Sequence, residues 1–203
     1  QRVKAYEEAL QKSYLGCLFD LDGTLTVRGE HTMPTPVQEI LALMAPQVPL
    51  AICTGRALDY LLQLMNPVFS KAKDAMRFQE NFIFICENGS VGYFYDRKSQ
   101  KYQAFYSLLF PYPEAQRTEL YQKLLHLLDG KVGTHNLNQY TLVFRAKSDD
   151  GASKEVIAER SHEMAKIISA ELAMSDPDQL LTFGDSGIGV IVFRRDGNKD
   201  RGV

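Results

Sequence analysis

Three short apolar runs, each ending in a polar turn, organise the first half of the chain. Leu15-Gly16-Cys17-Leu18-Phe19, Val48-Pro49-Leu50-Ala51-Ile52-Cys53 and Phe82-Ile83-Phe84-Ile85-Cys86 carry no charge. Each is too short for a helix, so each predicts a buried strand. The first gives way to Asp20-Leu21-Asp22-Gly23-Thr24-Leu25, the second to Thr54-Gly55-Arg56, and the third to Glu87-Asn88-Gly89. Between the runs, Thr35-Pro36 opens a helical stripe of Val37, Ile40, Leu41 and Met44, and Leu58, Leu61, Leu62 and Met65 repeat the period. Strand, turn and helix recurring in this way predict an α/β fold, a Rossmann-like doubly wound parallel sheet. Ahead of it, Val3, Tyr6 and Leu10 mark one face of a short amphipathic helix over residues 1–13.

Beyond residue 90 the texture changes. Val91–Tyr95 and Tyr102–Tyr106 alternate like hairpin strands around the polar Asp96–Gln100. Helix 114–128, strands 131–135 and 139–145, helix 153–173 and strands 180–184 and 188–193 follow. The leucines at 120, 124, 127 and 128 and the set Ile157, Met164, Ile167, Ile168 and Leu172 line the two helices. The order α-β-β-α-β-β without buried parallel runs predicts a separate α+β unit, a small sheet with helices on one face. Residues 1–103 plus 196–203 are therefore expected to form the core, and 104–195 an inserted second domain.

Composition narrows the function classes. With 203 residues, 45% of them hydrophobic, the chain can bury one substantial core or two small ones. A net charge of −2, with no basic stripe interleaved with aromatics, argues against a nucleic-acid or anionic-membrane partner. No apolar stretch approaches the roughly 20 residues of a membrane span, and no secretory leader is visible. Cys17, Cys53 and Cys86 lie in apolar strand-like runs without metal spacing, which reads as reduced core residues of a cytoplasmic protein. The chain starts at Gln1 and stops at Val203 without a closing element, which suggests a trimmed piece of a longer protein.

The chemistry concentrates in the turns. Asp20 and Asp22 are delivered at the carboxyl end of a strand, the edge where open α/β sheets bind ligands. Two acids this close repel one another unless a cation or a proton lies between them. That arrangement suits a divalent metal and a phosphate, with Asp20 attacking phosphorus and Asp22 exchanging the proton. An ordinary Asp-Gly turn is the plainer alternative. Thr54, at the tip of the second strand and read as lying just before a helix, offers a hydroxyl and neighbouring amides to a phosphate oxygen; a simple N-cap is its alternative. Lys199, after the last alternating strand, would balance the phosphate charge unless it is a solvated tail residue. Arg56 either touches substrate or makes a surface ion pair. His31, His126, His135 and His162 share no ligand spacing.

Taken together, Asp20-Leu21-Asp22-Gly23-Thr24-Leu25-Thr26, Cys53-Thr54-Gly55-Arg56, Glu87-Asn88-Gly89 and Asn198-Lys199 resemble the haloacid dehalogenase (HAD) superfamily. The nearest likeness is to its large-capped branch of Cof-type sugar phosphatases, sucrose- and trehalose-phosphate phosphatases and phosphomannomutase. The resemblance implies Asp20 as nucleophile, Asp22 as acid/base, and Thr54, Gly55, Arg56, Asn88 and Lys199 around a phosphorylated substrate. It makes residues 104–195 a cap, and it implies Mg2+ held by Asp20 and the backbone carbonyl of Asp22. The family's final acidic motif, typically Gly-Asp-x-x-Asn-Asp, supplies a third metal ligand that is not in this chain. Gly184-Asp185-Ser186-Gly187 precedes Lys199 and reads as a hairpin turn. The expected activity is a Mg2+-dependent phosphatase of small phosphorylated metabolites, sugar phosphates above all. A phosphosugar mutase needs the same two aspartates plus cations for a second phosphate, for which Arg145, Arg194 and Arg195 are the available residues. A non-catalytic phosphate-ligand binding domain is the alternative from another class.

Overall fold

The computed structural model describes residues 15–27, 32–149 and 151–197. The helix expected over 1–13, His31 and Lys199 lie outside the described residues. The chain divides into two compact units. One holds the described residues up to Cys86 together with Gly92–Phe105; the other holds Glu87–Val91 and the described residues from Tyr106 onward.

In the first unit, β1 (Cys17–Asp20), β2 (Leu50–Cys53) and β3 (Phe82–Cys86) are parallel neighbours. The register sets Asp20 beside Cys53 and Cys53 beside Ile85, so the three strands end level with one another. β4 (Val91–Asp96) and β5 (Lys101–Ser107) extend the sheet to the order β1-β2-β3-β4-β5. The connecting helices α1 (Thr35–Met44) and α2 (Leu58–Lys71) pack against each other. This is the Rossmann-like α/β core that the apolar runs imply.

Three local expectations are corrected. The first run is not a fully buried strand: β1 lies at the sheet edge, and Leu15 and Leu18 are 95% and 42% exposed. In α1 only Leu41 of the expected stripe is fully buried, while Ile40 turns outward. In α2 the inward face is Leu61, Leu64, Met65 and Val68, one step round the helix from the set centred on Leu62. A further helix, α3 (Ala75–Glu80), escapes periodicity because it is barely two turns long. It starts where the Asp74 carboxylate accepts the Arg77 amide at 3.0 Å, an N-cap. It is then held by Phe78, which is fully buried between Phe69 and Phe82, with ring centroids 5.4 Å away on each side. The aromatic row continues through Phe84, 5.3 Å from Phe82, to Tyr102 at 4.9 Å.

The second unit contains α4 (Glu114–Leu127), β6 (Val132–Leu137), β7 (Thr141–Ala146), α5 (Lys154–Ser175), β8 (Leu181–Asp185) and β9 (Gly189–Arg194). Its antiparallel sheet runs β6-β7-β9-β8, so β9 inserts between β7 and the outer strand β8. Leu142, Phe144, Val190 and Val192 from the sheet share one core with Leu120 and Leu124 of α4 and Met164 and Ile168 of α5. Gly189 is needed for strand contact: a Cβ there would lie 2.5 Å from the Phe144 carbonyl oxygen.

The sequence pattern changes character at residue 104 and again at 196. The compact units divide after Phe105, keep Asp196 and Gly197 in the second unit, and add Glu87–Val91 to it. Hydrogen bonds explain the difference. Ser90 Oγ donates to the Gly197 carbonyl at 3.4 Å, Tyr106 Oη to Gly89 at 3.1 Å, and the Arg195 amide to Leu180 at 2.8 Å.

Candidate active site

The carboxyl ends of β1 and β2 carry the first two motifs. After Asp20 the chain coils tightly around one carbonyl: the Leu21 oxygen accepts the amides of Thr24, Leu25 and Thr26 at 3.0–3.2 Å and the Thr26 hydroxyl at 3.2 Å. Leu21 is fully buried, and this pins the loop from below. Asp20 and Asp22, one on each side of it, are left exposed and half-buried respectively. The apolar residue between the two acids is thus the anchor that presents both of them.

Thr54 follows β2 and is 1% exposed. Its amide continues the ladder to the Ile85 carbonyl at 2.9 Å. Its hydroxyl oxygen accepts the Arg56 amide at 3.2 Å, which leaves the hydroxyl proton for a further acceptor. The expectation that Thr54 stands just before a helix is corrected. The helix starts at Leu58 with Ala57 as N-cap, because Gly55 and Arg56 form an intervening bend. Helix α2 therefore does not place its own N-terminal amides at Thr54.

That bend carries Arg56 back onto Asp22. Nη2 donates to Oδ1 at 2.9 Å and Nε to Oδ2 at 3.3 Å, a two-pronged pair across 34 residues of sequence. The guanidinium carbon also lies 4.9 Å from the ring centroid of Tyr60. Hydrogen bonding to Asp22 pushes the Arg56 pKa above its ordinary value, against the opposing cost of burial. Arg56 thus stands in an ion pair with Asp22. Tyr60 is a site residue that the motifs miss; its only sequence signal is an aromatic one helical turn beyond Arg56.

Asp20, Asp22, Thr54, Gly55 and Arg56 thus come together at one edge of the first unit. Asn88 belongs to the second unit, and Lys199 is outside the described residues. A hard divalent cation needs oxygen donors and keeps several waters beside one or two carboxylates. The exposed Asp20 carboxylate fits that need, whereas both oxygens of Asp22 face Arg56. Among the described residues no group of three His, Cys, Asp or Glu side chains is arranged to hold a metal. In the second unit, Asp185 at the end of β8 accepts the Ser161 hydroxyl at 2.5 Å and the Gly187 amide at 2.9 Å. It is the hairpin anchor its sequence context implies.

The other candidates are engaged in the second unit. Arg194 forks Asp196, with Nε and Nη2 at 2.5 and 3.0 Å from its two oxygens, and Arg195 donates to the Leu181 carbonyl at 3.2 Å. Arg145 sits on β7 opposite Thr134 and Gly189, at the other end of the β7–β9 pair from Arg194. His135 bonds the Tyr121 hydroxyl, and His162 lies 3.7 Å from Asp185.

Glu87-Asn88-Gly89 has an unusual backbone, with φ of 51°, 58° and 97° on consecutive residues. Glu87 is 9% exposed, and its carboxylate accepts from Asn138 Nδ2 at 3.4 Å. Asn138 is itself fixed by the amides of Tyr140 and Thr141, both at 2.8 Å from its Oδ1. Burial pushes the Glu87 carboxyl pKa up, and the Asn138 and Thr141 donors pull it only partly back. A carboxyl with a raised native pKa contributes its full stability below the ordinary value of about 4.3, and loses it as pH rises through the native value. Glu87→Gln should therefore gain in melting temperature over wild type as pH climbs from about 4 to about 7, the range bracketing that ordinary value. Parallel melting curves across that range would contradict the assignment.

Residues 17–108 match the family described as haloacid dehalogenase-like hydrolase. No curated protein matches the chain. Among solved structures, the C-terminal domain of C. albicans trehalose-6-phosphate phosphatase is similar over 98% of this chain and 63% of its own, at 15% identity and a TM-score of 0.67. ATP-bound Plasmodium falciparum IMP-nucleotidase is similar over 95% of this chain and 48% of its own, at 15% identity and 0.65. An IMP-bound mutant of the same nucleotidase gives 96%, 55%, 14% and 0.63 in the same terms. The chain spans about half the length of the nucleotidases it resembles. At such identities the likeness is one of fold.

Proposed function

We propose that this chain is a haloacid dehalogenase-like hydrolase and, within that class, a magnesium-dependent phosphatase of small phosphorylated metabolites, sugar phosphates foremost, acting in the cytoplasm. The observation that carries the reading is the pair Asp20 and Asp22, presented on either side of buried Leu21, level with Thr54. Two of the similar structures are named for phosphorylated metabolites, IMP and trehalose 6-phosphate, which supports this substrate class. The thiols of Cys17, Cys53 and Cys86 suit a reducing compartment. Among the described residues no helix is long and apolar enough to cross a membrane.

The chemistry follows from the residues. An Asp20 oxygen attacks phosphorus, the bond to the ester oxygen breaks, and the departing oxygen takes its proton from Asp22. Asp22 then removes a proton from water as that water attacks the aspartyl-phosphate, releasing phosphate and restoring Asp20. Thr54 holds a phosphoryl oxygen through its hydroxyl proton, and Lys199 is assigned to balance the remaining charge. Asp20 and the Asp22 carbonyl would hold Mg2+, which when bound screens the carboxylate from the phosphate dianion. Residues 104–195 are assigned as the cap that excludes bulk water.

The test is phosphate release from trehalose 6-phosphate, glucose 6-phosphate and IMP, with magnesium and after chelation. Release that disappears with chelation is expected. Substrate binding without release would favour a non-catalytic binding domain. Conversion of a sugar 1-phosphate into its 6-phosphate without free phosphate would favour a mutase.

A further inference from the structure

We propose that Arg56 is a positioning residue for Asp22, held in place by Tyr60, and not a ligand of the substrate phosphate. The proposal rests on the phosphatase reading and adds a role for a residue pair that reading does not use. The edge of the guanidinium formed by Nε and Nη2 is the one that grips an oxyanion in two places. Here that edge is filled by Asp22, at 3.3 and 2.9 Å. The same residue's amide bonds Thr54 Oγ at 3.2 Å, so Arg56 ties together two of the groups assigned to the reaction. Tyr60 lies under the guanidinium at 4.9 Å and limits its rotation out of the plane of the pair.

The acid step gives this geometry a purpose. As the bond from Asp20 to phosphorus forms and the ester bond breaks, the electron pair goes to the ester oxygen and the Asp22 proton follows it. That transfer needs the Asp22 carboxyl aimed at the leaving oxygen, and two N–H donors on one rigid fork hold a carboxyl in a single orientation. Arg56 thus fixes the direction from which the Asp22 carboxyl faces the leaving oxygen. The help matters in proportion to how much the leaving oxygen needs a proton. Alkoxides need it; nitrophenolate scarcely does.

The experiment is kcat/KM of the full chain for an alkyl phosphate and for p-nitrophenyl phosphate. The variants are Arg56→Ala, Arg56→Lys, Asp22→Asn and the double variant Asp22→Asn/Arg56→Ala. General acid catalysis is worth about 10²- to 10⁴-fold, and losing its alignment should remove about 10- to 100-fold on the alkyl ester. The loss on the nitrophenyl ester should be about tenfold smaller, since protonation contributes little there. Arg56→Lys should recover part of the difference, and removing Arg56 from Asp22→Asn should cost little more, as expected of residues acting as one unit. Thermal melting of each variant separates these effects from loss of fold. Equal losses on both esters, additive losses in the double variant, or a raised KM with unchanged kcat would overturn the proposal while leaving the phosphatase reading intact. A wild-type chain that releases phosphate from neither ester would overturn both.

Discussion

Asp20→Asn should reduce phosphate release by on the order of 10⁴-fold or more, the scale seen when a nucleophile acting within a catalytic unit is removed. An amide oxygen cannot form the acyl-phosphate that a carboxylate forms, so neither binding nor the neighbouring groups can compensate. The same change should hardly affect the fold. Asp20 is exposed at the end of an edge strand, and substitutions at such positions usually alter stability by no more than about 0.5 kcal/mol. Steady-state phosphate release together with a melting curve checks both halves. Retained activity would remove Asp20 from the role, and a clearly lowered melting temperature would contradict the expectation that the fold is hardly affected.

The largest effect on stability is expected from Phe84→Ala. Phe84 is fully buried on β3, the central strand of the five-stranded sheet, and packs between Phe82 and Tyr102. Truncating such a ring leaves a cavity that neighbouring rings cannot close, at a cost of about 3–5 kcal/mol. That is a large share of the roughly 5–15 kcal/mol by which domains are stable. Phe84→Leu should cost much less, because it keeps most of the volume. Denaturant midpoints measure the difference, and equal midpoints for the Ala and Leu variants would count against the aromatic row as a main support of the first unit.

These two residues also mark how legible the chain is. Phe84 lies in an uncharged run between polar turns, and such a run has little choice but a buried strand; β2 and β3 follow from it directly. The helices of the second unit follow from leucine and isoleucine spacing, and its strands from alternation. Exposure is less legible. Leu18 and Ile40 look like core residues by pattern, yet they face outward because their element lies at an edge or turns by a fraction of a helical step. α3 is set by one Asp cap and one phenylalanine rather than by a period.

At the site, the acids and the threonine are readable because they stand at or just beyond the carboxyl ends of β1 and β2. The contact between Arg56 and Asp22 is not, since nothing local in either motif signals a pairing 34 residues apart. Glu87 shows the same limit. Its partner Asn138 lies 51 residues away, and its burial depends on a turn with three left-handed residues in succession. Motifs record which side chains are available; the fold decides which of them neutralise one another.

The account turns on a phosphoryl group passing through Asp20. The most direct measurement is to quench the protein in acid during turnover of a sugar phosphate, digest it, and search by mass spectrometry for a phosphorylated peptide containing Asp20. The account predicts an acid-stable, base-labile phosphate on that aspartate, absent in Asp20→Asn. Rapid turnover with no phosphorylated peptide, or with the phosphate on another residue, would contradict it.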